Sequence, residues 1–212
     1  MHTPNTPSMP IQQKGYTLVE LAIAVAILAV LIVAGLTGVQ GILTSGKVND
    51  QIKVVAKLNS KISSLYSSNV SGTAALSTAV IGTKEVANLG GWDSGRVSST
   101  GTVTSAFGSS ETVQTNTGKI SDVDVNKGVV YGIRSVPQAG CADLANGINS
   151  LVYSMIVVNA SSISAPVGTE NDWTATNSKA VKTPGSTSLA TSTLATQCGT
   201  GSALDFWILF KP

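Results

Sequence analysis

Lys14-Gly15-Tyr16-Thr17-Leu18-Val19-Glu20 runs directly into LAIAVAILAVLIVAGLTGVQG at positions 21–41, and no charge follows Glu20 until Lys47. A hydrocarbon slab about 30 Å thick is spanned by a helix of about 20 apolar residues, so this stretch is long enough to cross a membrane. Glu20 is the anomaly. An intramembrane carboxylate costs about 2.5–3.5 kcal/mol even on insertion scales, which makes Glu20 a candidate functional residue.

The rest of the composition fits a chain that packs against copies of itself. Of 212 residues only 11% are charged, and the net charge of +2 leaves no electrostatic footprint for nucleic acid. Cys141 and Cys198 are the only cysteines. In an exported chain such a pair reads as one structural disulfide. On the chain-entropy model, closing the loop between them is worth about 4 kcal/mol.

Residues 1–15 (MHTPNTPSMPIQQKG) are polar, rich in proline and unable to pack, and they read as a leader. The order differs from a secretory signal, because the short polar leader meets the apolar run directly at Gly15-Tyr16. Small-x-small patterns at Ala22-Ile23-Ala24 and Ala24-Val25-Ala26 lie too near the start of that run to serve one.

Lys14-Gly15, then Tyr16, then Glu20 as the fifth residue from Tyr16, then the apolar run, resembles a type IV prepilin. The resemblance implies a cut between Gly15 and Tyr16 by a prepilin peptidase, with methylation of the new N-terminus. It also implies that Glu20 meets the Tyr16 amine of a neighbouring subunit as helices bundle into a filament, with Tyr16, Leu18 and Leu21 in the assembly contact. A buried carboxylate is tolerated when paired, so an incoming amine is a natural partner. Lys14 on the uncut side agrees with a cytoplasmic leader.

The helical pattern continues past the membrane. Val48, Ile52, Val55, Leu58, Ile62 and Leu65 recur every three or four residues and form one apolar stripe. Lys53, Lys57 and Lys61 follow the opposite side. Ser67-Ser68-Asn69, with Gly72 beyond, ends the pattern. A helix over about 16–66 would be roughly 75 Å long. Gly35, Gly38, Gly41 and Gly46 interrupt it at about 1 kcal/mol each relative to Ala. Small residues at that spacing serve close helix packing and also make local unwinding over Gly35–Gly41 cheap. No proline lies between Pro10 and Pro137.

Beyond a Ser/Gly/Thr-rich connection, residues 76–90 carry a weak helical pattern. Strands are expected at Thr102–Phe107, Gly128–Val136, Leu151–Asn159 and Leu204–Phe210, from their Val, Ile, Tyr and Phe content and their Gly, Asn, Ser and Pro boundaries. Pro137 opens a short helix with Cys141, Leu144 and Ile148 on one face. The Thr/Ser-rich region 160–203 reads as loop with short strands. The order of strand, Pro-started helix with the first Cys, and second Cys before a last apolar strand resembles the type IVb pilins, the toxin-coregulated-pilin group among them. The resemblance implies an α+β fold: a long N-terminal helix packed on an antiparallel sheet, with a disulfide-bounded region 141–198. The domains expected are leader 1–15, membrane and filament-core helix 16–45, amphipathic half 46–67 and globular head 68–212.

Catalytic chemistry finds little support. The single histidine, His2, lies in the leader, so the mature chain has none for a catalytic base, for activating a cysteine thiol or for most zinc sites. No G-x-x-x-x-G-K-[ST] loop is present. Asp122-Val-Asp124-Val-Asn126 alternates, which offers one polar strand face: part of a calcium site or an acid pair, or more simply a solvated face. Trp92 and Trp173 read equally as local packing or as adhesive surface. Asn69-Val-Ser71 and Asn159-Ala-Ser161 match a glycosylation pattern that recurs by chance in Ser-rich chains. The expectation is no enzyme, cofactor or metal. Instead the resemblance implies a major type IVb pilus subunit, held in the inner membrane as precursor and then polymerised with itself by inner-membrane assembly machinery into a surface filament. A minor pilin or type II secretion pseudopilin, and a membrane-anchored periplasmic domain, are the alternatives.

Overall fold

The computed structural model describes residues 17–68, 83–159, 173 and 179–211. The leader with Gly15 and Tyr16, the connection 69–82 and most of 160–178 lie outside the described residues, as do Val70-Ser71 and Ala160-Ser161 of the glycosylation patterns. The chain divides into two units, Met1–Gly41 and Ile42–Pro212. Helix α1, Leu18–Ser68, supplies residues to both and matches the expected span to within two residues at either end.

In the second unit the stripe read from α1 is the helix's buried face over 48–62, and the side chain of Leu65 lies outside the described residues. Val48, Val55, Leu58 and Ile62 are enclosed, Ile52 packs beside them and Val54 joins them. They meet a six-stranded antiparallel sheet. Its strands are β1 Val103–Thr104, β2 Ser110–Thr115, β3 Val129–Pro137, β4 Ser154–Asn159, β5 Ala180–Lys182 and β6 Ala203–Phe210. Their spatial order is β1-β2-β3-β6-β4-β5, so the last strand of the chain lies at the centre, between β3 and β4.

Alternation along these strands builds two cores. Tyr131, Ile133, Met155, Val157, Phe206, Ile208 and Phe210 share a core with α1, while Val130, Ile156, Val158, Trp207 and Leu209 pack with Ile120 and Trp173 in a second. Burial on both faces is why β3, β4 and β6 read as nearly continuous apolar runs. At the bulge between Ile133 and Val136, Ser135 adopts φ 57° and its N–H donates to the buried Asp205 carboxylate at 3.0 Å.

Helix α3, Gln138–Ile148, starts after Pro137 and buries Cys141, Leu144 and Ile148, as the sequence pattern implies. It lies close to α1 because two of its residues lack side chains. A Cβ on Gly140 would come within 2.7 Å of Val48 Cγ2, and one on Gly147 within 2.3 Å of Ile52 Cδ1.

Several expectations are corrected. The helical stretch over 76–90 is present, among the described residues, as α2, Thr83–Asn88. The strand expected at Thr102–Phe107 shortens to β1, because Ser105 Oγ accepts from the backbone N–H groups of Phe107 and Ser109 and turns the chain. Leu151 closes a 3-10 turn, Asn149–Leu151, and β4 starts at Ser154. Residues 191–199 are not loop but helix α4, Thr191–Gly199, which carries Cys198 and buries Leu194 alone. Residues 122–126 form turns rather than a strand, with one bridge between Ile120 and Val123 and a positive φ at Asn126.

Candidate assembly segment and the globular head

Within the first unit, Thr17 sets the start of α1. Its hydroxyl accepts from the Glu20 backbone N–H at 3.3 Å, and its carbonyl accepts from Leu21 N–H at 3.2 Å. Thr17-Leu18-Val19-Glu20 thus has the spacing of a capping box, with a carboxylate where the helix dipole favours negative charge. Leu18, Glu20 and Leu21 all fall in the first helical turns and are exposed, Leu18 at 86% and Leu21 at 59%. Among the described residues no cation pairs with Glu20.

No side of this helical segment is covered. Ile23, Val25, Ile27, Leu28, Val30, Leu31, Ile32, Val33 and Leu36 point in every direction, and each is more than half exposed. The segment has a mean hydropathy of 2.8 over its most apolar window, within the range of a membrane span. Apolar surface gains roughly 25 cal/mol per Å² when removed from water, so this helix is stable only in lipid or against other apolar helices.

The head of the second unit is fastened internally. Cys141 on α3 and Cys198 on α4 are bonded, their Cα atoms 5.7 Å apart. Lys182 is buried, and its Nζ donates to the carbonyls of Asn149 and Val152 at 2.5 and 2.7 Å, tying β5 to the end of α3. Burial lowers the pKa of that amine.

A polar hub also sits inside the core, and the sequence reading missed it. Gln51 Nε2 on α1 donates to Glu111 Oε1 at 2.7 Å and to the Tyr131 hydroxyl at 2.8 Å. The Trp92 indole N–H donates to Glu111 Oε2, and Gln51 Oε1 accepts from Ala106 N–H at 3.1 Å. One buried carboxylate and one buried amide therefore join α1, β2, β3 and the loops at 92 and 106. Loss of solvation raises the Glu111 pKa and outweighs the lowering from Gln51, Tyr131, Trp92 and the Arg96 charge. The same burial raises Tyr131, helped by the Glu111 charge. Gln51 was the available signal: a polar residue inside the apolar stripe of α1.

The remaining site candidates resolve by geometry. Asp122 takes a hydrogen bond from Tyr153 and an ion pair from Lys211, both of which hold its pKa down, while Asp124 lies 3.9 Å from Lys119. The two carboxylates face different cations, and no metal-ligating cluster occurs among the described residues. Trp92 and Trp173 are buried, so both are packing residues rather than adhesive surface.

Residues 11–36 match the family described as the prokaryotic N-terminal methylation motif. Among solved structures, a type IVb pilin from Salmonella typhi aligns with a TM-score of 0.51 at 14% identity, over 77% of this chain and 99% of that one. The fold is that of a type IVb pilin. TcpA, a type IV pilin from the El Tor biotype of Vibrio cholerae, aligns with a TM-score of 0.49 at 14% identity, over 77% of this chain and 98% of that one. No curated protein matches in sequence. Gly15, Tyr16, Leu18, Glu20 and Leu21 lie within the matched range 11–36, and in this chain the disulfide joins α3 to α4.

Proposed function

We propose that this chain is the major structural subunit of a type IVb pilus. The observation that carries the reading is that one chain combines a methylation motif, a helical segment whose apolar surface is exposed all round, and a head that closes its own core. In this reading the precursor is anchored in the inner membrane by residues 16–45, its leader cytoplasmic and its head periplasmic. A prepilin peptidase cuts between Gly15 and Tyr16, and the new amine is methylated. Assembly machinery then moves the helix from lipid into a bundle of identical helices, where Leu18, Leu21 and the apolar residues up to Leu36 replace lipid contacts.

Glu20 acts in this scheme as a registry device. Its carboxylate pairs with the Tyr16 amine of a neighbouring subunit, and a stagger that misses that amine leaves a charge buried and unpaired at a cost of about 3–5 kcal/mol. Chemistry is left to other proteins, and the subunit contributes shape and surface.

N-terminal sequencing of the mature protein tests the reading. A chain beginning at a methylated Tyr16 is expected. Retention of residues 1–15 would overturn it in favour of a permanently anchored periplasmic domain. The yield of the protein in sheared surface filaments separates a major subunit from a minor one or a secretion pseudopilin.

A further inference from the structure

The strand at the centre of the head comes last in the sheet's chain order. β6 pairs antiparallel with β3, from Pro137 opposite Ala203 to Val129 opposite Phe210, and with β4, from Asn159 opposite Leu204 to Ser154 opposite Leu209. β3 and β4 therefore run parallel, and among the described residues no ladder joins them directly. Without β6 they are two sheet edges one strand apart, with α3 as the crossover between them. A sheet edge offers unpaired N–H and C=O groups to an incoming strand. Here two edges face one another, and a single strand satisfies both.

The two faces of this slot fix what fits it. Phe206, Ile208 and Phe210 fill the core beneath α1, while Trp207 and Leu209 fill the second core. Burial of that many large apolar side chains is comparable with the net stability of a whole domain, so the head closes only with a strand in place. The strand is also held at both ends. The Ser202 carbonyl accepts from Gln138 N–H at 3.4 Å at the start of α3, and Lys211 pairs with Asp122 beside the Tyr153 ring. A second copy of this chain carries the same strand with the same end contacts, which is the condition for exchange of an identical element between protomers.

The disulfide is placed where it chooses between the two donors. Cys198 lies four residues before β6, across 199–202, and Cys141 is on α3, the crossover between the two strands of the slot. With the bond present, the chain's own β6 hangs on that short tether at the mouth of the slot. Without it, the nearest sheet anchor is β5, twenty residues back across 183–202, because the intervening α4 buries Leu194 alone. Effective concentration falls roughly as the −3/2 power of tether length, so the longer tether lowers the own strand's advantage about tenfold. We propose that the slot between β3 and β4 is a strand-binding site that takes the β6 of a second copy as well as its own, and that the Cys141–Cys198 bond keeps the pairing within one chain. The site belongs to the folded head and does not require the polymer reading.

The test unfolds full-length, detergent-solubilised chains in urea, refolds them over a range of chain concentrations and counts compact dimers by size-exclusion chromatography with light scattering. The double variant Cys141→Ser/Cys198→Ser should dimerise at about a tenfold lower concentration than the disulfide-bonded wild type. Because that variant also loses stability, a second chain keeps the disulfide and lengthens 199–202 to about twenty residues with Gly and Ser, and it should show the same shift. Association through the helix of the first unit is common to all three chains and cancels. Docking in trans is read directly by refolding a Cys141→Ser chain together with a Cys198→Ser chain in air. Cys198 of the first should bond Cys141 of the second, in a dimer that keeps a cooperative urea transition. Equal dimer thresholds for wild type and the lengthened chain, or mixed copies with no such bond between them, overturn the proposal. Neither result alters the mature N-terminus, so this inference and the pilus reading fail separately.

Discussion

The two halves of α1 differ in composition and end in opposite states. In the segment up to Gly41, Leu31 is 62% exposed and its neighbours are bare on every side. In the segment from Ile42 onward, Leu58 is fully buried, and polar residues alternate with the apolar stripe. The difference lies in the charged and polar residues, which confine the apolar surface of the second half to one stripe and are missing from 21–41 apart from Thr37 and Gln40. An apolar stripe of period 3.6 is a sheet's partner and is satisfied within one chain. A helix apolar all round has no single partner and is satisfied only by a medium or by copies of itself. The first half is therefore incomplete by design of its pattern, and the second is not.

The comparison breaks if changes in the first half disturb the head, or if changes in the head alone abolish assembly. Glu20→Ala carries the largest expected effect: insertion continues, head unfolding is unchanged, and sheared filament yield falls nearly to nothing. Normal filament yield would remove Glu20 as the registry residue. Cys141→Ser should act on the other half alone. It costs about 4 kcal/mol on the loop-entropy model, read as a lower urea midpoint and less precursor in the periplasm.

A matched pair of truncations sharpens the contrast further. Leu58→Ala removes a buried side chain and should cost about 2–5 kcal/mol. Leu31→Ala deletes a similar side chain from the exposed helix and should leave the head's urea midpoint within error. If both changes shifted the midpoint equally, the two halves would not be independent in stability.

The same contrast explains what was legible in the residues. The charge-free run, the stripe on α1 and the Pro137 start of α3 are local signals, each written within a turn or two of helix. β3, β4 and β6 were legible because both of their faces are buried. β2 was not, because Ser110-Glu111-Thr112-Val113-Gln114-Thr115 is mostly polar and is held by pairing with β3 rather than by its own propensity. Helix α4 escaped for a similar reason. Thr191–Gly199 buries a single leucine, and it is fastened by the disulfide and its neighbours rather than by an amphipathic stripe. Only Gln51 hinted at the hub, as a polar residue in the stripe; its partners were not legible from local pattern, since Gln51 reaches Glu111 across 60 residues and Tyr131 across 80. Asp122 and Asp124 misled in the opposite direction: alternation implied a shared face, and a turn sent them to different lysines.

The smallest effect tests that hub, where the stripe of α1 meets the sheet through a polar contact instead of an apolar one. Burial holds the Glu111 pKa above its ordinary value. The native head therefore keeps a proton that the unfolded chain releases at about 4.3. Stability from this group is full below that value and is lost as pH rises through the raised native one, at about 1.4 kcal/mol per unit of elevation. Asp93 and Asp122 act in the opposite sense and in a lower window. Their pKa values are lowered by Lys57 and Lys211, and their contribution is present above about 3.9 and lost in stronger acid. Between pH 4.5 and 7 the Glu111 effect thus stands alone among these three groups. Wild-type chain should show a urea midpoint that declines across this interval. Glu111→Gln, which cannot ionise, should start lower by about 1 kcal/mol for one mismatched hydrogen bond and then stay level. A wild-type midpoint that rises over the same interval would mean that the Arg96 charge and the three donors outweigh burial, and that Glu111 is held as an anion throughout.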